Sequence, residues 1–198
     1  IRLPSIPEIQ TYTLNQVTCK NINNFLPTGD QSIIWHKIFN EAQMCLHDHP
    51  INQQRESRAE LPINSIWLWG GGILPKSIHS QYTYIWSNND FAHALALASH
   101  TSYSKLPSNA DEWLSNETSS SNNLVILDNL LVHAKYRNAY YWRETLKNLE
   151  NDWFLPLYQA LKTGRICQIT IVAVNEDSLL EFTVMRTNLW KFWLMTRP

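Results

Sequence analysis

Glycine is scarce in this chain, five in 198 residues, and no Gly-x-Ser-x-Gly elbow occurs, which removes the α/β-hydrolase type of serine nucleophile from consideration. Cysteine is nearly absent. Cys19, Cys45 and Cys167 are odd in number, far apart and without metal-ligand spacing, so neither a disulfide framework nor a thiolate metal site is expected, and the three read as reduced thiols. Runs of ~18 apolar residues, the length that spans a bilayer, do not occur, so no membrane partner is expected. The opening residues Ile1-Arg2-Leu3-Pro4-Ser5 have no signal-peptide layout, and the reduced thiols point to a cytoplasmic protein. Charge of one sign is missing too. The net charge is −1 and no Lys/Arg block stands out, which argues against nucleic acid as a main partner, because phosphate binding needs clustered cations.

The chain does have apolar and aromatic residues. Hydrophobic residues make up 44%, enough for a proper core. Nine Trp and eight Tyr, with no basic groove beside them, read as core and interface residues. A helix is expected from Gln31 to Leu46, with Ile34, Ile38, Ala42 and Cys45 on one face, Asp30 at its start and Pro50 just past its end. Residues 51–63 read as a polar connection. Tyr82–Trp86 reads as a strand, Asp90–Ser99 as a helix, and 115–123 as a mobile polar loop. Leu124–Leu127 reads as a short strand ending at Asp128. A long helix over 139–163, bent near Pro156 and stopped by Gly164, comes next. Ile166–Val174 and Leu179–Met185 read as a hairpin, and Thr187–Met195 as a Trp-rich helix. Strand 124–127, helix 139–163 and strand 166–174 have the order of a βαβ unit. The expected fold is α/β: a mixed, mostly parallel sheet with helices on both faces, in one domain over 1–198 with an N-terminal subregion 1–63.

Three of the five glycines stand together, in Pro62-Ile63-Asn64-Ser65-Ile66-Trp67-Leu68-Trp69-Gly70-Gly71-Gly72. Asn64–Trp69 is apolar from Ile66 onward without alternation, as in a central strand covered on both faces. A strand ending in a Gly triplet makes either a tight turn against a neighbour or a patch of uncovered N–H groups open to an anion. Upstream lies Leu46-His47-Asp48-His49-Pro50-Ile51-Asn52-Gln53-Gln54-Arg55-Glu56.

Together these pieces read His-Pro-Ile-Asn-x-x-Arg, then Pro-x-Asn, then Trp-Gly-Gly-Gly. Over residues 46–75 the chain resembles the archaeal-type, cofactor-independent phosphoglycerate mutases of the alkaline phosphatase superfamily. It departs from their pattern at Ala59, where a Gly is expected, and at Trp69, where an Arg is expected. Trp before the glycines is the variant of small bacterial relatives of that family. A fainter likeness continues at Asn123–Asp128, Asn151–Leu157 and Ile169–Glu176, with Leu127 and Asn175-Glu176 where the family has metal-binding His and Asp-His.

The resemblance implies part of an alkaline-phosphatase-like core. The two-metal chemistry of that superfamily needs a full Asp/His shell and a Ser or Thr nucleophile. No Asp-Gly-x-x-Asp and no His-x-x-x-Asp-x-x-x-x-His element occurs in the chain. The reading is a degenerate relative with no metal, no cofactor and no catalytic residue. It is expected to bind a small phosphorylated or carboxylate ligand through His47, His49, Asn52, Arg55, Asn64 and the Gly70, Gly71 and Gly72 turn. In a competing reading the polar side chains brace their own loop. An active mutase or phosphatase, and a protein–protein or homo-oligomeric scaffold using Trp190 and Trp193, are the other functional readings.

Overall fold

The computed structural model describes residues 8–73, 75–116, 122–175 and 178–190. The chain forms two compact units, Ile1–Lys76 and Ser77–Pro198. The loop expected at 115–123 and the helix expected at Thr187–Met195 fall largely outside the described residues, as does Trp193. Of the latter helix, Arg186–Trp190 is a 3-10 turn.

The first unit is helical. Helix α1 (Leu14–Val17) and a 3-10 turn (Ile22–Phe25) precede α2 (Ser32–His47) and α3 (Pro50–Ser57). One isolated antiparallel bridge joins Gln10 to Thr28. Helix α2 has the expected length, but its inner face is not the expected one. Ile34 and Ile38 are exposed, whereas Phe39 is buried and Trp35, Ala42 and Leu46 are half-buried. Burying two aromatic rings outweighs burying two isoleucines, which turns the helix by about one residue. Asp30 does not cap it; Gln31 holds that position with no side-chain bond.

Two further expectations are corrected here. Residues 50–57 are helical rather than a loop, because Pro50 sits at the first helical position, where its missing N–H costs nothing. Asn64–Trp69 is not a central strand. It pairs with no strand, and Ile66 and Trp69 are 42% and 43% exposed. An apolar run becomes a strand only when a ladder partner exists, and the first unit contains no named strand among its described residues.

The second unit holds a three-stranded parallel sheet, with helices around it, and a small antiparallel sheet. Strands β1 (Tyr84–Trp86), β2 (Ser102–Ser104) and β3 (Asn123–Val125) lie in the order β2-β1-β3. Helix α4 (Asp90–Ala98) links β1 to β2, and α5 (Ala110–Ser115) lies between β2 and β3. Central β1 is covered on both faces, with Ile85 and Trp86 buried. Helices α6 (Asn129–Lys135), α7 (Ala139–Leu149) and α8 (Leu155–Thr163) follow. A π-helical turn, Glu150–Phe154, joins α7 to α8 just ahead of Pro156, and Gly164 ends α8 at φ 82°. Trp153 of the π turn, Leu149 and Ala110 form the core, against which Val125, Leu127 and Trp113 pack.

Strands β4 (Gln168–Val174) and β5 (Leu179–Met185) form the expected antiparallel hairpin. They lie outside the parallel sheet, so the expected βαβ unit from β3 to β4 does not exist. The parallel crossovers run through α4 and α5 instead. Helix–strand order alone does not say which strands share a sheet.

Candidate functional site

The His-Pro-Ile-Asn-x-x-Arg stretch forms a corner between two helices. His47 is the last residue of α2 and is exposed. His49 is the N-cap of α3: its Nδ1 accepts the Ile51 N–H at 3.2 Å. The corner therefore uses one histidine as a cap, a role normally filled by Asn, Asp or Ser.

Asn52 lies in the first turn of α3 and is 4% exposed. Its Nδ2 donates to Leu46 O at 2.7 Å and to Ile63 O at 2.9 Å, and its Oδ1 accepts the Ile63 N–H at 2.8 Å. One carboxamide thus ties the end of α2 to the segment that follows α3. Arg55, one turn on, repeats the theme at the other end of the loop. Its Nε donates to Leu61 O at 2.8 Å, and Nη1 pairs with Glu60 at 3.1 Å. The guanidinium side chain stays 34% exposed. Between them, Ala59 sits at φ 56°, in the left-handed region. This is the position where the resemblance leads to an expected Gly, and a left-handed backbone favours glycine.

Asn64 is exposed. Trp67 stacks on Phe39 of α2 at 5.6 Å between centroids and donates its indole N–H to Tyr12 O at 2.9 Å. The Gly70–Gly72 turn is exposed, with φ 73° at Gly70, and a Cβ on any of the three glycines would meet no atom within 4 Å. Close packing against a neighbour is therefore not the reason for the triplet. No hydrogen bond or ion pair among the described residues joins this turn to His47, His49, Asn52 or Arg55. The structure brings Asn52 and Arg55 onto residues 61–63 and leaves His47, Asn64 and the glycines open to solvent.

The sequence reading passed over a second polar group, at the carboxyl ends of the parallel strands. Buried Ser87, just past β1, accepts the Asn89 N–H through its hydroxyl at 3.0 Å and the Tyr103 hydroxyl through its carbonyl at 2.6 Å. Asn89 caps α4 and donates Nδ2 to Asp128 Oδ2 at 3.1 Å. Polar residues directly after a short apolar strand are the signal that marks such an edge, where ligands of open α/β sheets bind. Among the described residues, no three of His, Cys, Asp and Glu are grouped so as to hold a metal ion. The three cysteines are free and exposed. No helix of the described residues is long and apolar enough to cross a membrane.

Comparison with known proteins gives a partial relationship. A 2,3-bisphosphoglycerate-independent phosphoglycerate mutase of Methanothrix thermoacetophila is 43% identical over 56 residues, 28% of this chain and 14% of that protein. The protein of the same description from Methanosarcina barkeri is 34% identical over 62 residues, 31% of this chain and 16% of its own length. A probable 2,3-bisphosphoglycerate-independent phosphoglycerate mutase of Geobacter sulfurreducens is 31% identical over 70 residues, 34% of this chain and 18% of its own. About a third of the chain is thus homologous to cofactor-independent phosphoglycerate mutases. The match spans less than a fifth of those curated relatives' length. No protein-family model matches the chain, and no solved structure does.

Proposed function

We propose that this chain is a phosphoglycerate-mutase-like binding module that takes up a small phosphorylated or carboxylate anion and does not itself transfer a phosphoryl group. The observation that carries the binding half is the Gly70–Gly72 turn: an exposed triplet with open space on every glycine, in a chain homologous to phosphoglycerate mutases. Such a turn offers backbone N–H groups to an anion. The exposed part of Arg55 adds a permanent positive charge. The non-catalytic half rests on the sequence, which lacks the Asp and His elements of the two-metal site.

Calorimetric titration with 3-phosphoglycerate and with inorganic phosphate tests the binding. Gly71→Asp should abolish it by like-charge repulsion, whereas Gly71→Ala should leave it intact, because the site has room for a Cβ and no positive φ. Both variants should unfold within about 0.5 kcal/mol of the natural protein, as exposed substitutions do. No affinity for either probe in the natural protein, or unchanged affinity in Gly71→Asp, ends the ligand reading.

A second reading is a phosphoglycerate mutase whose remaining parts lie on further residues. It is favoured by the activity for which the relatives are described and by the small share of them that the chain spans. Turnover of 3-phosphoglycerate with Mn2+ or Zn2+ added would establish it and overturn the non-catalytic proposal.

A further inference from the structure

The first unit contains a half-open cavity of about 390 Å3, placed between α2, the 3-10 turn at Ile22–Phe25 and the Ser65–Trp67 segment. This size is in the range of small-ligand pockets. Trp67 and buried Phe39, stacked at an interplanar angle of 28°, form one wall. Trp67 already gives its indole N–H to Tyr12 O, so it contributes ring surface here and no donor. Ile22, Leu26 and Ile66 complete the apolar lining.

The polar lining has a particular character. Asn40 and Gln43 stand one turn apart on α2, and both line the cavity together with Asn23. Neither the Asn40 nor the Gln43 carboxamide hydrogen-bonds to another described residue, although both are placed where a bound molecule would reach them. His36 uses Nε2 on Pro27 O at 2.9 Å, which fixes the ring in the wall. Among the described residues, no Lys, Arg, Asp or Glu lines the cavity.

These features select among ligand chemistries. With no formal charge in the lining, an ionic group has no partner there, and desolvating it is unfavourable. A monosaccharide presents hydroxyls around most of its ring and would leave several of them against Ile22, Leu26 and Ile66. A flat heteroaromatic ring has apolar faces and a polar edge of alternating donors and acceptors. A carboxamide, which both donates and accepts, matches such an edge bidentately. We propose that this cavity binds a neutral planar heteroaromatic ring of nucleobase type, with the ring against Trp67 and its edge on Asn40 and Gln43. This site is independent of the anion proposed at the glycine turn, and the absence of charge sets its signature: a phosphate on the ligand adds nothing.

Saturation-transfer NMR and calorimetric titration of the full chain with adenosine, guanosine, cytidine and uridine test the proposal. At least one nucleoside should bind and ribose should not, and in Gly71→Asp, where the glycine turn no longer takes a phosphate, the 5′-monophosphate should bind within about twofold of the nucleoside. The double variant Asn40→Ala/Gln43→Ala should weaken the nucleoside about tenfold or more, since two hydrogen bonds are lost. Its thermal unfolding should not change, because both side chains are exposed and unpartnered. No transfer to any of the four nucleosides at millimolar concentration would overturn the proposal. So would unchanged affinity in the double variant, or a strong preference for the monophosphate in Gly71→Asp. Inorganic phosphate, titrated separately against Gly71→Asp, reports on the glycine turn alone, so either site can fail without the other.

Discussion

At the residue scale, Asn52 joins three backbone groups that belong to different parts of the first unit. Asn52→Ala removes one partner from the Leu46 carbonyl, which still accepts the His49 N–H, and takes the carboxamide from the carbonyl and N–H of partly exposed Ile63. The expected loss is about 2 kcal/mol in denaturant unfolding. A loss under about 1 kcal/mol would show that water replaces the amide and that the clamp is not structural. Ala59 offers the opposite test. At φ 56° its Cβ is strained, so Ala59→Gly should stabilise the protein by about 1 kcal/mol, the left-handed penalty reduced by the entropy of glycine in the unfolded chain. A decrease in stability there would mean that another contact of the methyl group outweighs the strain. Within the mutase-like motif, Asn52 and Arg55 bind the backbone of Leu46, Leu61 and Ile63 and the Glu60 carboxylate, as in the bracing reading, and the exposed flank of Arg55 is what remains for a ligand.

At the element scale, α5 begins with cap bonds at Asn109 and at Ser108 before it. Asn109 Oδ1 accepts the Glu112 N–H at 2.8 Å, and Glu112 Oε2 accepts the Ser108 hydroxyl at 2.6 Å and the Ser108 N–H at 3.0 Å. The Ser108 hydroxyl, and then its amide, hold the Glu112 carboxyl below the usual carboxylate value. A carboxyl lowered in the folded state stabilises it above the unfolded value, and that contribution is lost as pH falls through the folded one. Ser108→Ala should therefore raise the Glu112 titration midpoint toward the usual value, read by carbon-13 NMR of the carboxyl, and α5 should fray at a higher pH during acidification. An unmoved midpoint would mean that the hydroxyl bond is not made in solution. Local punctuation marks α4, α7 and α8: Asn89 caps α4, Asn138 caps α7 and Gly164 ends α8, and of these Gly164 is the stop on which the expected helix over 139–163 rests. The π turn before Pro156 was legible only as a bend, since its extra residue exists to place Trp153 in the core.

At the scale of the whole molecule, the two units meet in sequence at Lys76–Ser77, and the chain around that point is exposed. Gly70–Gly72 have open space, and Ile73 is 80% exposed. Limited proteolysis should make its first cuts between Trp69 and Gln81, giving two fragments identifiable by mass spectrometry, because cleavage requires backbone that fits a protease without unfolding. First cuts inside 84–104, where β1, α4 and β2 lie, would show instead that the parallel sheet opens more readily than this stretch.

The sequence by itself determined the elements whose causes are local: α2, α4, the long helix from 139 to 163 and the hairpin of β4 and β5. Caps, a C-terminal glycine and two apolar runs around a turn act over a few residues, so their signals survive without knowledge of the fold. It also showed that His49, Asn52 and Arg55 form one motif. What that motif holds was decided by tertiary structure, because the carbonyls of Leu46, Leu61 and Ile63 carry no mark in the sequence. The same is true of strand membership. Ile66–Trp69 is as apolar as any strand of the chain yet has no ladder partner among the described residues, and β4 follows a long helix yet pairs, among them, only with β5. Hydrogen bonding between strands joins residues far apart in sequence, so hydrophobic pattern can propose a strand and only the assembled backbone can give it a neighbour.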